Sequence, residues 1–200
     1  MIKAERISIN INMKHRKAAS IRIIGSELII AEPWLSFGHK HFIDREGATR
    51  VWSYVERSQG QQAVVVIART RETKRLVLIR QFRIPLEAWV YEFPAGLVDP
   101  GETIESTAHR ELAEETGYSG EISLVGPAVP SSPGMSSETM HLVTMVAEEQ
   151  AGEPEHESAE DIEVLTLELT REAVGVFVAQ AEQDGSHVDA KLYAFLLAYL

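Results

Sequence analysis

The stretch from residue 96 to residue 118 constrains the fold more than any other part of this sequence. Near its beginning, residues 99–101 read Asp-Pro-Gly. This sequence predicts a turn, because proline pre-sets its own φ angle and glycine tolerates a positive one. Helical spacing of apolar residues follows from Ile104. Gly117 then occupies the place at which a glycine commonly ends a helix. The stretch therefore predicts a turn followed by one short helix.

Three glutamates of that helix share one face. Glu111, Glu114 and Glu115 stand at i, i+3 and i+4, and like charges so placed repel each other unless a cation lies among them. When the helix is projected at about 100° per residue, Glu111 and Glu115 fall within or beside the stripe of apolar side chains on the same helix, not opposite that stripe. Carboxylates at the edge of a core suit a hard divalent cation such as Mg²⁺. The pattern favours a metal site, and an ordinary solvated face is the alternative.

A longer pattern surrounds these glutamates. Gly96 is followed after five residues by Glu102, and after seven more by the run Arg-Glu-Leu-Ala-Glu-Glu-Thr-Gly-Tyr at residues 110–118. This spacing resembles the Nudix box of the pyrophosphohydrolase superfamily. The matching positions are Gly96, Glu102, Arg110, Glu111, Leu112, Glu114, Glu115, Gly117 and Tyr118. The resemblance implies hydrolysis of a nucleoside diphosphate linked to some group X, without naming X.

Composition limits the partners and the location. A hydrophobic content of 44% over 200 residues is enough for a globular domain with a sizeable core. The absence of cysteine excludes disulfides and thiolate metal sites, and a net charge of -11 argues against a nucleic-acid surface. No apolar run approaches the roughly 20 residues of a membrane span. Because the N-terminus also lacks the apolar core of a signal peptide, we expect a cytoplasmic protein.

We expect three parts along the chain. Residues 1–20 are a basic leader whose sequence suits a strand and a disordered segment equally. Residues 21–58 are typical of a small antiparallel β subdomain, and residues 59–200 of the main domain. The strands predicted for the β subdomain cover residues 21–24, 27–32, 34–44 and 49–55, with a turn at Gly25 and Ser26 between the first two.

The main domain interleaves strands with a few helices, which predicts a mixed α/β fold. The Nudix resemblance sharpens this prediction to an α/β/α sandwich with a mixed sheet. The predicted strands cover residues 63–68, 75–82, 89–93, 121–125, 140–147 and 162–169, and the further helices cover residues 171–183 and 188–200.

Features outside the box narrow the resemblance. A strand end reads Arg-Gln-Phe-Arg at residues 80–83, the entry to the box reads Tyr-Glu-Phe-Pro-Ala-Gly at residues 91–96, and a Ser-Pro-Gly loop lies at residues 132–134. Together they resemble the ADP-ribose pyrophosphatase (ADP-sugar diphosphatase) branch of the Nudix family. The likeness runs from about Trp34 to residues 189–193.

The resemblance implies a metal centre at the box. Glu111 and Glu115 would be direct ligands of Mg²⁺ or Mn²⁺, and their carboxylates would be catalytic in that role. Glu114 would ligate or support the same site, and the backbone carbonyl of Ala95 would add an oxygen. Two or three ions are expected on this basis.

The resemblance also assigns roles to residues around the box. Arg110 would orient the box glutamates, and Glu102 would lie at the edge of their cluster. Arg83 and Glu92 would face the substrate, and Glu138 would lie near the terminal ribose or sugar. An arginine has the fixed fork geometry that suits a pyrophosphate, although a solvated arginine at a strand end is the equal alternative for Arg83.

Two tryptophans of the β subdomain fall where this branch places the aromatic residues that hold adenine. Trp34 and Trp52 would sandwich the ring, one from each subunit of a swapped homodimer. Arg50 lies two residues before Trp52, so it would share that strand face and could reach the same ligand. The alternatives are core or interface filling for the tryptophans and plain solvation for Arg50.

In this branch the general base comes from an acidic loop after the box. The acidic run at residues 147–161 resembles that loop, and a loop solvated throughout is the alternative. Alignment on the strand that follows favours Glu160 as the base, with Glu157 second. Three histidines could also serve as bases, but a lone histidine is more often simply packed or exposed: His109, His141 and His156.

We therefore expect an Mg²⁺-dependent hydrolase that splits ADP-ribose, or a related nucleoside diphosphate sugar, into AMP (or another nucleoside monophosphate) and a sugar phosphate. A GDP-mannose hydrolase or a broad nucleoside diphosphate sugar hydrolase is the alternative within the enzyme class. A non-hydrolytic nucleotide-sugar sensor is the alternative outside it. The intact box favours the enzyme, because a pure sensor does not need every metal ligand.

Overall fold

The computed structural model describes residues 20–57, 60–156 and 161–200. Nearly all of the leader predicted at residues 1–20 lies outside these ranges. The strands are β1 (Arg22–Ala31), β2 (Leu35–Ile43), β3 (Thr49–Arg57), β4 (Ala63–Thr70), β5 (Leu76–Arg83), β6 (Ala88–Glu92), β7 (Ala95–Leu97), β8 (Gly120–Pro130), β9 (Thr139–Ala147), β10 (Ile162–Leu167) and β11 (His187–Val188). The helices are α1 (Ile104–Thr116), α2 (Arg171–Gln183) and α3 (Ala190–Leu196).

The main sheet is mixed and eight-stranded, in the order β11-β6-β5-β4-β9-β8, with β10 paired to β5 and β7 paired to β4. Strand β4 runs parallel to β9 and antiparallel to β7. Its unbroken apolar sequence has a simple cause, since Val64, Val65 and Val66 are all at most 2% exposed. A strand covered on both faces has no need of polar alternation.

The two faces of β4 pack against different helices. Val64 shares a buried cluster with Ala108 and Leu112 of α1, while Val65 shares another with Phe177 of α2 and Leu192 of α3. The sheet thus lies between helices on both sides. The predicted α/β/α sandwich is confirmed.

The β subdomain is a separate antiparallel sheet in the order β1-β2-β3. The prediction of two strands divided at Gly25 and Ser26 was wrong, because β1 is one strand over Arg22–Ala31. Its register against β2 shifts between Ile23 and Gly25 and again between Leu28 and Ile30. Glycine inside a strand pattern here accompanies a bulge, not a turn.

The last predicted helix, over residues 188–200, was wrong at both ends. Val188 pairs with Tyr91 as part of β11, and α3 begins only after Asp189, whose side chain accepts a hydrogen bond from the amide of Lys191 at 2.9 Å. The helix ends at Leu196, after which tighter turns follow. In contrast, α2 has the predicted bounds Arg171–Gln183.

Hydrogen bonds from the loop between β8 and β9 attach the small sheet to the main sheet. Residues 131–138, between β8 and β9, lie against β3, where the amide of Val55 donates to the carbonyl of Met135 at 2.9 Å and the amide of Ser137 donates to the carbonyl of Val55 at 3.1 Å. The β subdomain is therefore held beside the main sheet by the loop that carries the Ser-Pro-Gly motif. Across the described ranges, no helix is both long enough and apolar enough to cross a membrane.

Candidate active site

The box residues form one concave site between α1 and β7. The helix begins at a capping box made by Thr103 and Ser106, and its cap at the other end is Gly117. The helix packs on the sheet with Glu111 and Glu115 on its inner side, where these residues are only 7% and 6% exposed. A pocket of about 460 Å³ opens beside them, lined by Trp34, Ala95, Gly96, Leu97, Asp99, Arg110, Glu111, Glu114, Glu115 and Glu155. We call it the box pocket.

Arg110 organises the carboxylates of the box pocket. Its Nη1 atom donates to Glu111 at 2.7 Å and to Glu114 at 3.0 Å. Its Nε and Nη2 atoms form a fork on Glu102 at 2.8 and 2.9 Å, and Nη2 also reaches the carbonyl of Leu97 at 3.0 Å. The geometry places Arg110 as a partner of the box glutamates, in the position that the resemblance implies.

This network perturbs the ionisation of its members. The hydrogen bonds from Arg110, followed by that from Thr107, lower the pKa of Glu102 to about 2. The hydrogen bond to Glu102 likewise raises the pKa of Arg110, although burial opposes the change. Both groups are therefore charged at neutral pH, so the fork is a charge-assisted pair.

Glu115 is held by the backbone of β7. Its Oε2 atom accepts a hydrogen bond from the amide of Ala95 at 2.8 Å. Ala95 also pairs with Val65 of β4, so the sheet itself sets the position of this carboxylate. Ala95, which the resemblance makes a metal-site residue, thus lies directly against Glu115.

The donors of the box pocket fit a hard divalent cation in their chemistry. Glu111, Glu114 and Glu115 present carboxylate oxygens, the ligands that Mg²⁺ takes in proteins, and two of the three are buried. Among the described residues no three acidic or imidazole groups stand close enough to form a complete metal site as they are. The Nη1 atom of Arg110 instead contacts both Glu111 and Glu114.

A second cavity of about 270 Å³ adjoins the box pocket, because both are lined by residues 95–97. Arg83 and Glu92 meet there in a fork, with Nε–Oε1 and Nη2–Oε2 distances of 2.6 and 2.9 Å. Glu138 lines the same cavity. The structure thus brings together the three residues that the resemblance places near the substrate.

Sequence reasoning missed two cations of this second cavity. Arg57 donates through Nε to Glu138 at 2.6 Å, and Lys191 also lines the cavity. Burial alone would raise the pKa of Glu138, but hydrogen bonds from Arg57 and Ser131 outweigh it and the pKa is lowered. Arg57 lies just beyond the predicted end of its strand and Lys191 within a predicted helix, so neither carried a local signal.

The predicted adenine-binding residues lie at the surface. Trp34 is 71% exposed and stands at the rim of the box pocket. Trp52 is 55% exposed, and its Nε1 donates to the carbonyl of Gly134 at 3.0 Å. Neither ring fills the core. Arg50 pairs with Asp44 at 2.9 Å and lines neither the box pocket nor the second cavity.

The predicted base cannot be placed, because Glu160 and Glu157 lie outside the described residues. The described part of the acidic run instead brings a different carboxylate, that of Glu155, to the box pocket. Its neighbour His156 is neither isolated nor fully exposed, since its Nε2 atom lies 2.8 Å from the carbonyl oxygen of Glu115. No spacing in the sequence pointed to either contact.

Comparisons with known proteins agree with this geometry. The family described as "NUDIX domain" matches residues 60–191. The chain is 36% identical over 188 residues to the ADP-sugar pyrophosphatase of Mus musculus, covering 88% of this chain and 86% of that protein. It is 39% identical over 138 residues to the ADP-ribose pyrophosphatase of Bacillus subtilis, covering 69% of this chain and 71% of that one.

A solved structure supports the fold independently. The crystal structure of an ADP compounds hydrolase superposes with a TM-score of 0.68 at 19% identity, covering 92% of this chain and 94% of that one. Fold and site together define an enzyme that acts on pyrophosphate bonds. The chain belongs to the NUDIX family.

Proposed function

We propose that this enzyme hydrolyses the pyrophosphate bond of ADP-ribose or a related nucleoside diphosphate sugar, giving AMP or another nucleoside monophosphate and a sugar phosphate. The observation that carries the proposal is the junction at residues 95–97, where the box pocket meets the second cavity. Carboxylates for a cation lie on one side and an arginine fork on the other. The names of the relatives from mouse and Bacillus subtilis support the same substrate class.

One group of residues would bind the cations and another would bind the phosphates. Glu111 and Glu115, with Glu114 and the carbonyl of Ala95, would hold divalent cations, Mg²⁺ or Mn²⁺, two or three in number. When bound, such a cation neutralises phosphate charge and lowers the pKa of a bound water. Arg83, held by Glu92, would bind and orient the charged phosphates and stabilise the negative charge that shifts onto their oxygens in the transition state.

Hydrolysis then requires one bond made and one broken. The oxygen of water bonds to one phosphorus, the anhydride P–O bond breaks with its electron pair leaving on the oxygen of the other phosphate, and a proton of the water passes to a carboxylate. We assign that proton to Glu160, the carboxylate that the sequence favours, and Glu157 is the second candidate. Glu138, held by Arg57, would contact the sugar that lies beyond the pyrophosphate.

The same proposal includes a homodimer built on residues 21–58. Apolar side chains of β1 are widely exposed, among them Ile23 at 59% and Ile30 at 54%, and such a surface commonly marks an interface. Adenine would lie between Trp34 of one subunit and Trp52 of the other, with Arg50 nearby. Sedimentation of the purified chain tests this, and a monomer at the concentrations used for assay would contradict it. A cytoplasmic location is also part of the proposal and is checked by cell fractionation.

The decisive experiment is a product screen with ADP-ribose, ADP-glucose, GDP-mannose and UDP-glucose in the presence of Mg²⁺. We expect kcat/KM for ADP-ribose to exceed the others by more than about tenfold, roughly 1.4 kcal/mol in the transition state. A flat profile would favour a broad nucleoside diphosphate sugar hydrolase. Tight binding of these compounds without turnover would overturn the assignment as a hydrolase and favour a nucleotide-sugar sensor.

A further inference from the structure

Residues 148–156, which we call the strap, follow β9 and lie along the end of α1. At its beginning the strap is tied to the β4–β5 turn, where Glu149 accepts hydrogen bonds from the amides of Glu72 and Thr73 and from the hydroxyl of Thr73. Burial alone would raise the pKa of Glu149, but these hydrogen bonds outweigh it and the pKa is lowered. The first part of the strap is therefore held by a charged anchor.

The other part of the strap is tied to the box helix. The last four carbonyls of any α-helix lack partners within the helix. Here the amide of Glu155 donates to the carbonyl of Glu114 at 2.9 Å, and the amide of Gly152 donates to the carbonyl of Gly117 at 2.7 Å. The strap thus donates hydrogen bonds to the last turn and the cap of the helix that carries the box glutamates.

His156 makes the one side-chain contact among these helix-end bonds. Its Nε2 atom lies 2.8 Å from the carbonyl oxygen of Glu115, and a carbonyl can only accept, so Nε2 must carry the hydrogen. A hydrogen-bond donor at the negative end of a helix is favourable. The two residues that contact successive helix carbonyls, Glu155 and His156, are also adjacent in sequence.

We propose that His156 is a positioning residue that holds Glu155 at the rim of the box pocket, where the carboxylate of Glu155 adds a negatively charged acceptor for a hydrated divalent cation. The Glu155 side chain is exposed and lines the pocket that Glu111, Glu114 and Glu115 also line. The amide of Glu155 donates to the carbonyl of Glu114 on the same helix, so the strap sets the point from which this side chain extends. This inference rests on the proposed function.

The test compares His156→Ala with His156→Gln, because a glutamine amide can still donate to the carbonyl of Glu115. We expect His156→Ala to lose the exchange protection of the Gly152 and Glu155 amides, which donate to the end of α1, and to lower both kcat and the calorimetric affinity for Mn²⁺ about tenfold, the usual effect of losing an outer partner of a metal site. His156→Gln should restore all three. His109→Ala, on the exposed face of α1, is the matched control and should change none.

A second pair of variants separates the anchor from the carboxylate that it positions. Glu155→Gln should keep the exchange protection and still lower Mn²⁺ affinity, whereas Glu153→Gln, an exposed neighbour on the same strap, should do neither. Unchanged protection in His156→Ala, no rescue by glutamine, or full Mn²⁺ affinity in Glu155→Gln would each overturn the inference. Failure of the wild type to hydrolyse any nucleoside diphosphate sugar would refute the proposed function, while exchange and Mn²⁺ binding would still decide this inference.

Discussion

The carboxylate of Glu111 occupies the space beside Gly96 that a Cβ atom at position 96 would need. Gly96 pairs with Val64 in the short strand β7, so its backbone is held by the sheet and cannot retreat. Arg110 also holds Glu111, through a hydrogen bond of 2.7 Å. Because glycine has no Cβ atom, position 96 leaves room for a buried carboxylate of the box helix against the sheet.

Gly96→Ala should displace that carboxylate and so reduce turnover. The backbone of Gly96 needs no positive φ angle, so the effect is steric and confined to the site. We expect kcat to fall at least about 100-fold, since a small misplacement in a site can cost that much, with the thermal midpoint changed little. Gly25→Ala, where a Cβ atom meets nothing within 4 Å, is the control. Equal turnover in the two variants would disprove the steric argument.

The box could be predicted from the sequence because its geometry is local. The i, i+3 and i+4 spacing of Glu111, Glu114 and Glu115 puts them on one helix face whatever the rest of the chain does, and Gly117 marks the helix end in the same local way. The apolar run of β4 was equally readable, because burial on both faces removes polar alternation from the sequence itself.

Contacts between distant residues could not be predicted in this way. Arg57 and Glu138 lie 81 positions apart, and the contact between His156 and Glu115 spans 41, so no spacing rule connects them. Gly25 shows a different limit, because the sequence pattern of a bulge and that of a turn are alike until the partner strand β2 is known. The adenine site and the base remain predictions of the resemblance alone.

Glu115→Gln should abolish most activity while leaving the fold intact. Glutamine has the same shape and retains an oxygen that can accept the hydrogen bond from the amide of Ala95, but it lacks the charge that a divalent cation requires. We expect kcat to fall at least ~10³-fold, given what metal-assisted activation of water contributes, with Mn²⁺ affinity reduced in calorimetry. Glu182→Gln, at an exposed position of α2, should retain wild-type kcat. Near-normal turnover of Glu115→Gln would refute the metal assignment.

Glu102 should make stability depend on pH in the acid range. Its pKa is about 2 in the folded protein against an ordinary value of 4.5. A carboxyl whose folded pKa is lowered contributes its full stability above the unfolded pKa and loses it as pH falls through the folded one. The contribution is therefore complete above about pH 4.5 and fades toward pH 2.

Glu102→Gln removes this contribution without removing the side chain. At pH 7 we expect the free energy of unfolding to drop by about 1.5–3 kcal/mol, the range for hydrogen bonds to charged groups. Urea titrations between pH 7 and pH 3 should show the gap between variant and wild type narrowing only below about pH 4.5. A gap that stays constant over that range would show that the fork with Arg110 does not lower this pKa.

Gly117 should be intolerant of any side chain for two separate reasons. Its φ angle is +71°, a conformation that L residues rarely adopt, and a Cβ atom there would overlap the carbonyl of Gly152 in the strap. Gly117→Ala should therefore lower the free energy of unfolding by about 1–2 kcal/mol and also lose the exchange protection of the Gly152 and Glu155 amides. Gly175→Ala, in the interior of α2 with open space around it, should instead raise stability by about 0.5–1 kcal/mol. Because a backbone effect alone would leave the strap protected, loss of stability with protection retained would show that the strap does not depend on the close approach of Gly117 and Gly152.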